Sequence, residues 1–227
     1  MTQKPKISIV IPTKNEEETI AKIIKAVKKY GDEILVVDGH SSDRTREIAA
    51  KNNVKVILDN GLGKGDGLRL AIKEVKGDII VFIDADESHD SLDIPRLLKP
   101  ILEGKADLVI GSRMRGGSDE LHGKFSELVR LWGSGIITLL INLRFKRNFT
   151  DYQNGFRAIR TETARRLNLK EKHTTIEQEM SIECLKRGYR IVEVPTHEYA
   201  RRYGESKISI LRHGPRYVYV LFKKIIF

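Results

Sequence analysis

Four acidic side chains lie within seven positions of the stretch VFIDADESHD, residues 81–90, directly after an apolar run typical of a buried strand. They are Asp84, Asp86, Glu87 and Asp90. Because like charges this close repel one another, a cation is expected to offset them. Two carboxylates separated by one residue suit a hard divalent ion, which completes its shell with phosphate oxygens. The stretch therefore predicts Mg²⁺ or Mn²⁺ on Asp84 and Asp86, carrying a nucleotide diphosphate.

The elements that must position these acids alternate between strands and helices, which indicates an α/β fold. The runs that predict strands are ISIVIP (7–12), EILVVD (33–38), VKVIL (54–58), DIIVFID (78–84) and DLVIG (107–111). Apolar residues of 20–27 recur at helical spacing, and Asn15 is the predicted cap of that helix. Further helices are predicted to begin at 41–43 and within the Gly-rich stretch 61–67.

Strands that alternate with helices predict right-handed crossovers and a mostly parallel sheet. Ligands of such sheets bind outside the carboxyl ends of the strands. Polar clusters follow four of the predicted strands, and they are PTKNEEE, DGHSSD, DADESHD and GSRMR. Each cluster alone is equally typical of helix caps and turns, but all four fall on one rim. Together they predict a ligand site there.

The composition limits the class of protein. The chain has 227 residues, 40% of them hydrophobic, which is enough for one sizeable folded domain. A single cysteine, Cys184, excludes an internal disulfide framework and favours a reducing compartment. The polar first residues predict no secretory signal, and no apolar run approaches the ~20 residues that span a bilayer. The net charge of +10 favours an anionic partner, namely a nucleotide, a nucleic acid or a lipid surface.

Other classes of protein are less consistent with the residues. No nucleic-acid module is recognisable, and an acid-rich rim repels a phosphate backbone, so we predict no nucleic-acid partner. GLGKGDG has no Ser or Thr directly after Lys64, so it is not the phosphate loop of an ATPase. A sugar nucleotidyltransferase stays open, because it can share a related sheet and a carboxylate pair. Such an enzyme releases pyrophosphate.

Seven ordered blocks resemble the pattern of family-2 glycosyltransferases with the GT-A fold. They are VIPTKNEE, VVDGHSSDRT, GKGDGLRLAI, FIDAD, GSR, DYQNGFRAIR and EVPTHEYARRYGESK. The chain is most similar to the subgroup of dolichyl-phosphate mannose synthases and related polyprenyl-phosphate hexosyltransferases. The resemblance implies a GT-A catalytic domain, a Rossmann-like and mostly parallel sheet flanked by helices, over residues 1–207. We expect a basic amphipathic helical tail at 208–227.

The resemblance also implies roles for particular residues. Those matching positions that bind the nucleotide sugar are Pro12, Thr13, Lys14, Glu16, Val37, Asp38, Asp84, Ala85, Asp86, Arg201 and Lys207. Those matching positions that hold the acceptor phosphate, and so belong to the catalytic group, are Arg113, Arg130 and Ser134. Asp151 and Glu179 match acidic positions of the family, and they are equally typical of a loop acid and a helix-surface acid.

Three positions depart from the family pattern. Lys14 stands where an aromatic residue is common, and DGHS at 38–41 replaces DDGS, so both GDP and UDP stay open. Ser88 stands where the family often supplies a glutamine as third metal ligand. Glu87, His89 or water can take that role.

The expected reaction follows from charge. A phosphate monoester has a second pKa near ~6, so it attacks without a general base. Arginines hold it in line, and the metal stabilises the leaving nucleotide diphosphate. The implied reaction inverts the anomeric carbon and moves one hexose from GDP-mannose, or second from UDP-glucose, to a polyprenyl phosphate. The motif of processive synthases, Q-x-x-R-W, does not occur in the chain. A soluble or polysaccharide acceptor is the alternative.

Two apolar segments suggest where a lipid acceptor is met. Residues 125–143 combine a long apolar face with Trp132, and the tail interleaves basic and aromatic residues. Such helices are typical of a membrane interface, so we expect peripheral attachment to the cytoplasmic face. The alternative for both segments is packing on the domain or on a second subunit, and a homo-oligomer or a membrane partner protein stays open.

Overall fold

The computed structural model describes the backbone of residues 4–119, 125–200 and 210–226. Within these ranges the side chains of 125–131, 210–213 and 226 are not described. The predicted donor-binding residues Arg201 and Lys207, and the side chain of Arg130, therefore lie outside the described residues.

Seven strands of the described chain form one twisted sheet. They are β1 (Ile7–Thr13), β2 (Glu33–Asp38), β3 (Lys55–Leu58), β4 (Ile79–Phe82), β5 (Leu108–Ser112), β6 (Arg157–Arg160) and β7 (Ile191–Pro195). Their order across the sheet is β3-β2-β1-β4-β6-β5-β7. Only β6 runs antiparallel, to β4 and β5 on its two sides, and the other pairs are parallel. The predicted α/β fold with a mostly parallel sheet is confirmed.

Helices cover both faces of this sheet. They are α1 (Ile20–Val27), α2 (Thr45–Lys51), α3 (Lys64–Glu74), α4 (Ile94–Leu102), α5 (Arg113–Gly116), α6 (Phe125–Phe145), α7 (Thr161–Arg166), α8 (Ile176–Lys186) and α9 (Ile210–Ile226). The alternation of β1 explains the two layers, because Ile9 and Ile11 join one core cluster while Val10 joins the other. The first cluster includes the buried faces of α1 and α4, and the second those of α3, α6, α8 and α9.

The chain reverses its direction of travel across the sheet between β1 and β4. From β1 it moves outward to β2 and β3, and it then returns to β4 on the other side of β1. Such a switch point leaves a crevice outside the carboxyl ends of the two strands, where ligands of open α/β sheets bind. The loop that begins at Lys14 and the loop that contains Asp84 and Asp86 flank this crevice.

Several local predictions need correction. Asn15 does not cap α1, whose cap position is Thr19, because Asn15 has a φ of 55° and its side chain accepts a hydrogen bond from Ser42 N at 2.9 Å. α2 begins at Thr45 and not at 41–43 as predicted, because the Ser41 hydroxyl is hydrogen-bonded to Asp38 in the turn after β2. β4 ends before the two acids, so they lie in a loop and not on the strand.

The expected C-terminal helix is present as α9, and its inner side is part of the core. Val220 and Leu221 are buried, and Leu221 belongs to the second core cluster. Lys224 forms ion pairs with Glu179 at 2.7 Å and Glu183 at 2.9 Å, both on α8. Among the described helices, none combines the length and the apolar character needed to cross a membrane.

Candidate active site

The residues predicted to hold the nucleoside lie at the carboxyl ends of β1 and β2. Pro12 is paired with Val37, and Thr13 with Asp38, in the register of the two parallel strands. Thr13 Oγ1 is buried and has no hydrogen-bond partner among the described residues. A buried polar atom without a partner costs free energy, so this hydroxyl is suited to a ligand.

The Asp38 carboxylate is hydrogen-bonded within the loop that follows β2. Its Oδ1 accepts the amide of Ser41 at 2.9 Å, and its Oδ2 accepts the Ser41 hydroxyl at 2.5 Å. Arg46 Nε lies 3.7 Å from the same carboxylate. The side chain is fully buried. Asp38 therefore fixes the shape of the loop that follows β2.

The two remaining residues of this group lie in the loop after β1. Lys14 is exposed, whereas Glu16 is half-buried where the chain turns into α1. The Glu16 amide donates to Thr45 Oγ1 at 2.8 Å, and Thr19 Oγ1 donates to the Glu16 carboxylate at 3.3 Å. The first of these bonds joins the loop after β1 to the start of α2, so all six predicted nucleoside residues lie in one region.

The first acid of the pair, Asp84, is held by a lysine that the sequence motifs did not mark. Lys64, the first residue of α3, places its ammonium 2.7 Å from Asp84 Oδ1 and 2.9 Å from Glu177 Oε1. Burial opposes the charge of Lys64, but the facing carboxylates of Asp84 and Glu177 raise its pKa above the ordinary value. Asp86 is buried, and its Oδ1 accepts the amide of Ser88 at 3.0 Å. Ala85, between the two acids, is also buried.

Gly155 allows this close arrangement. A Cβ at this position would lie 2.9 Å from Asp84 Oδ2 and 3.2 Å from Lys64 Nζ, so any side chain would displace the ion pair. Gly155 occurs in the DYQNGFRAIR block, but only the fold shows that it faces the acids. Glu177 and Lys64 were missed because they lie 113 positions apart along the chain and meet through the packing of α8 beside α3.

The donor set fits a hard divalent cation whose shell is completed from outside the protein. Within the described part of the chain, no group of three or more His, Cys, Asp or Glu side chains is arranged to hold a metal. Two carboxylates are the protein share that Mg²⁺ typically takes, with phosphate oxygens and water as further ligands. Asp84 and Asp86 match this requirement.

His89, one of the candidates for a third ligand, is buried beside the acids. Its ring stacks on Phe156 with centroids 5.0 Å apart, and its Nδ1 has no hydrogen-bond partner among the described residues. Burial lowers the pKa of His89, so the imidazole is neutral at pH 7. Together with Glu87, Asp90 and Tyr199 it lines a cleft of 590 Å³ between α1 and the acid loop.

Arg113 faces the interior of the site and not the solvent. It binds Asp151 with two hydrogen bonds, from Nε to Oδ2 at 2.6 Å and from Nη2 to Oδ1 at 3.1 Å, and its Nη1 lies 3.3 Å from Glu198 Oε1. Burial raises the pKa of Asp151, but the guanidinium outweighs it and holds that pKa below the usual range.

Ser134 is half-buried on α6, and Glu179 is fully buried on α8, not on a helix surface.

Comparisons with known proteins identify the family of the chain. The family model described as glycosyl transferase family 2 matches residues 8–167. Glycosyltransferase AglJ of Haloferax volcanii is 34% identical over 92% of this chain and 68% of its own length. The dolichol-phosphate mannosyltransferase of Pyrococcus furiosus is 34% identical over 96% of this chain and 64% of its own length.

A solved structure is similar across nearly the whole chain. Glucosyl-3-phosphoglycerate synthase of Mycobacterium tuberculosis, crystallised with Mn²⁺, UDP and phosphoglyceric acid, has a TM-score of 0.75. It is 24% identical, and the match covers 97% of this chain and 78% of that one. This likeness establishes the fold.

An α/β sheet with a carboxylate pair at its switch point is the framework of a GT-A glycosyltransferase. The protein belongs to glycosyltransferase family 2 and is a hexosyltransferase with the GT-A fold, so the resemblance found in the sequence is confirmed.

Proposed function

We propose that this enzyme transfers one hexose from a nucleotide sugar to a polyprenyl phosphate, with inversion, at the cytoplasmic face of a membrane. The observation that carries the proposal is the acid pair at the switch point, beside loops from β1 and β2 that match the nucleoside positions of the family. GDP-mannose is the first donor to test and UDP-glucose the second. The P. furiosus relative is named for dolichol phosphate and mannose, whereas the M. tuberculosis structure contains UDP.

Donor binding is assigned to the β1–β2 rim and the acid loop. Pro12, Thr13 and Val37, at the carboxyl ends of β1 and β2, are the proposed nucleoside contacts. Asp84 and Asp86 would hold Mg²⁺ or Mn²⁺. When bound, the ion stabilises the charge that develops on the departing diphosphate. The cleft beside His89 offers carboxylates and a neutral imidazole, which suit hydrogen bonds with the hydroxyls of the hexose.

Acceptor binding is assigned to Arg113. Its bidentate bond to Asp151 fixes the guanidinium, and the longer contact to Glu198 is the one that a phosphate can replace. A phosphate bound there is already ionised near neutral pH, so the enzyme has only to orient it and to offset its charge. Arg130 and Ser134 on α6 are the further proposed contacts.

The outer faces of α6 and α9 support a lipid acceptor. The two helices pack on each other, and large apolar side chains project from both. The exposed ones include Trp132 (70%) and Leu143 (68%) on α6, and Tyr219 (63%) and Phe222 (53%) on α9. Residues 132–148 and 214–225 contain no Asp or Glu, whereas Arg144, Lys146 and Lys223 are exposed. Apolar faces with flanking basic residues suit an anionic membrane surface such as the cytoplasmic leaflet.

The decisive experiment offers labelled GDP-mannose and UDP-glucose with Mn²⁺ and two acceptors, dolichyl phosphate in anionic vesicles and soluble phosphoglyceric acid. We expect label in the organic phase and release of the nucleoside diphosphate. Transfer only to the soluble acceptor would overturn the lipid assignment. Release of pyrophosphate from a sugar phosphate and a nucleoside triphosphate would point to a nucleotidyltransferase.

A further inference from the structure

The ammonium of Lys64 already occupies a cation position on Asp84. It lies 2.7 Å from Asp84, and it is held on its other side by Glu177, whose side chain is only 4% exposed. Glu177 Oε2 is buried without a hydrogen-bond partner among the described residues, and Glu177 Oε1 is paired with the Lys64 ammonium. Lys64 therefore offsets the charge of Asp84, one of the two carboxylates for which the sequence alone predicted a metal.

The backbone around Lys64 fixes this position. Gly63, which precedes α3, has a φ of 109°, a conformation that side chains disfavour. A Cβ on Gly65 would lie 2.6 Å from the carbonyl oxygen of Glu171, and the Asp66 amide donates to the Lys172 carbonyl at 3.2 Å. The start of α3 is therefore packed tightly on 171–173. The contact between Lys64 and Asp84 is built into the fold and is not a chance pairing of surface charges.

We propose that Lys64 is the internal counterion of Asp84 and exchanges this carboxylate for the diphosphate of the donor when a divalent cation binds. The inference rests on the proposed function, since it requires a nucleotide diphosphate as the ligand. Its consequence is that metal and nucleotide bind cooperatively, each favouring the other.

The physical reason is the repulsion between two cations at one carboxylate. A divalent ion on Asp84 would lie only a few ångströms from the ammonium, and that repulsion is strong in a partly buried site. Metal alone must therefore displace Lys64 and leave it with Glu177 as its one anionic partner. A diphosphate lowers this cost, because its oxygens accept hydrogen bonds from the released ammonium and bind the ion at the same time. Glu177 keeps Lys64 within reach of both partners.

A mutation in a binding site usually weakens binding, but removing the Lys64 ammonium should strengthen the binding of Mn²⁺. In Lys64→Met, we expect Mn²⁺ to bind more tightly in the absence of nucleotide, on the order of tenfold, because nothing competes for Asp84. The factor by which UDP or GDP tightens Mn²⁺ binding should fall by a similar amount, and by linkage the effect of Mn²⁺ on the nucleotide falls equally. In Glu177→Gln the ammonium is no longer shared, so Mn²⁺ alone should bind more weakly than to the wild type.

The test is a titration of free Mn²⁺ by electron paramagnetic resonance, with and without UDP or GDP. Lys73→Met is the matched control, because Lys73 lies exposed on the same helix and the substitution removes the same charge. Thermal unfolding of each variant verifies that it is folded. If Lys64 only shapes the site, Lys64→Met will bind Mn²⁺ as the wild type does or more weakly, and the inference is then wrong.

Failure of this inference differs from failure of the proposed function. A wild-type protein that binds Mn²⁺ equally well with and without nucleotide would overturn the exchange, whatever reaction it catalyses. A wild-type protein that shows the cooperativity and its loss in Lys64→Met, but transfers no hexose to lipid, would support the exchange and overturn the lipid assignment.

Discussion

At the scale of single residues, the two acids of the site and the ion pair between Arg113 and Asp151 are held by different contacts. Asp84 is held by Lys64 and exposed in part, whereas Asp86 is buried and bound to the Ser88 amide. The first carboxylate can therefore exchange partners, and the second is fixed. Arg113 and Asp151 form a closed, bidentate unit that supports the acceptor side of the site.

Asp86→Asn should remove metal-dependent nucleotide binding while the fold is retained. The amide keeps the shape of the side chain but loses the charge that binds the ion, and we expect Mn²⁺ with nucleotide to bind at least about 10–100-fold more weakly. Calorimetry with UDP or GDP, with and without Mn²⁺, measures the effect. Glu47→Gln, on the exposed side of α2, is the control. Unchanged metal dependence in Asp86→Asn would show that the ion binds elsewhere.

Asp151→Asn should destabilise the protein, because it leaves the guanidinium of Arg113 largely buried without its main partner. Breaking a buried pair in this way typically lowers the free energy of unfolding by about 3–5 kcal/mol. Since folding lowers the pKa of Asp151, the pair stabilises the protein above the ordinary aspartate pKa, and this contribution is lost as the pH falls through the lowered value. Urea unfolding should therefore show a difference between wild type and variant that shrinks on acidification. A constant difference from pH 7 downward would contradict this account.

At the scale of elements, the sequence predicted the strands that carry a continuous apolar run and missed the two that do not. The bounds of β2 were predicted to the residue. β6 was missed, because its sequence is RAIR. Its Arg157 is buried and donates hydrogen bonds to the carbonyls of Tyr152 and Glu177. Only tertiary contacts make such an arginine a core residue. Prediction of the site from the sequence had the same limit. Local motifs marked Asp84 and Asp86, but Lys64 meets Asp84 only through the tertiary fold.

The two faces of α9 should respond differently to the same substitution. Leu221→Ala removes a buried side chain and should lower the free energy of unfolding by about 2–5 kcal/mol. Phe222→Ala, one residue further, should change it by no more than about 0.5 kcal/mol, because Phe222 is exposed. If α9 binds membranes through this face, Phe222→Ala should reduce sedimentation with anionic vesicles, and salt should weaken the binding of both proteins. Equal vesicle binding by wild type and Phe222→Ala would favour another attachment surface.

At the scale of the whole molecule, α9 closes the second core layer while its outer face stays exposed. The buried leucine and valine, the Lys224 pairs with α8, and the bond from Tyr217 to the carbonyl of Thr174 all join it to the domain. Arg216 likewise pairs with Glu171 at 3.1 Å. Within 214–225, the basic and aromatic residues thus divide into an inward set that contributes to folding and an outward set that includes Tyr219, Phe222 and Lys223.

This division predicts that deletion of residues 208–227 acts mainly on stability. Removing α9 exposes the apolar surface of α6 and α8 and leaves Glu179, which is fully buried, without the Lys224 ammonium. We expect a truncated protein with a Tm lower by more than about 8 °C, the shift that a loss of several kcal/mol produces in a domain of this size. Differential scanning calorimetry measures it, with Phe222→Ala as the control that alters only the outer face. A truncated protein that unfolds at the wild-type temperature would show that α9 is a separate appendage, and loss of vesicle binding on truncation could then be assigned to the membrane contact alone.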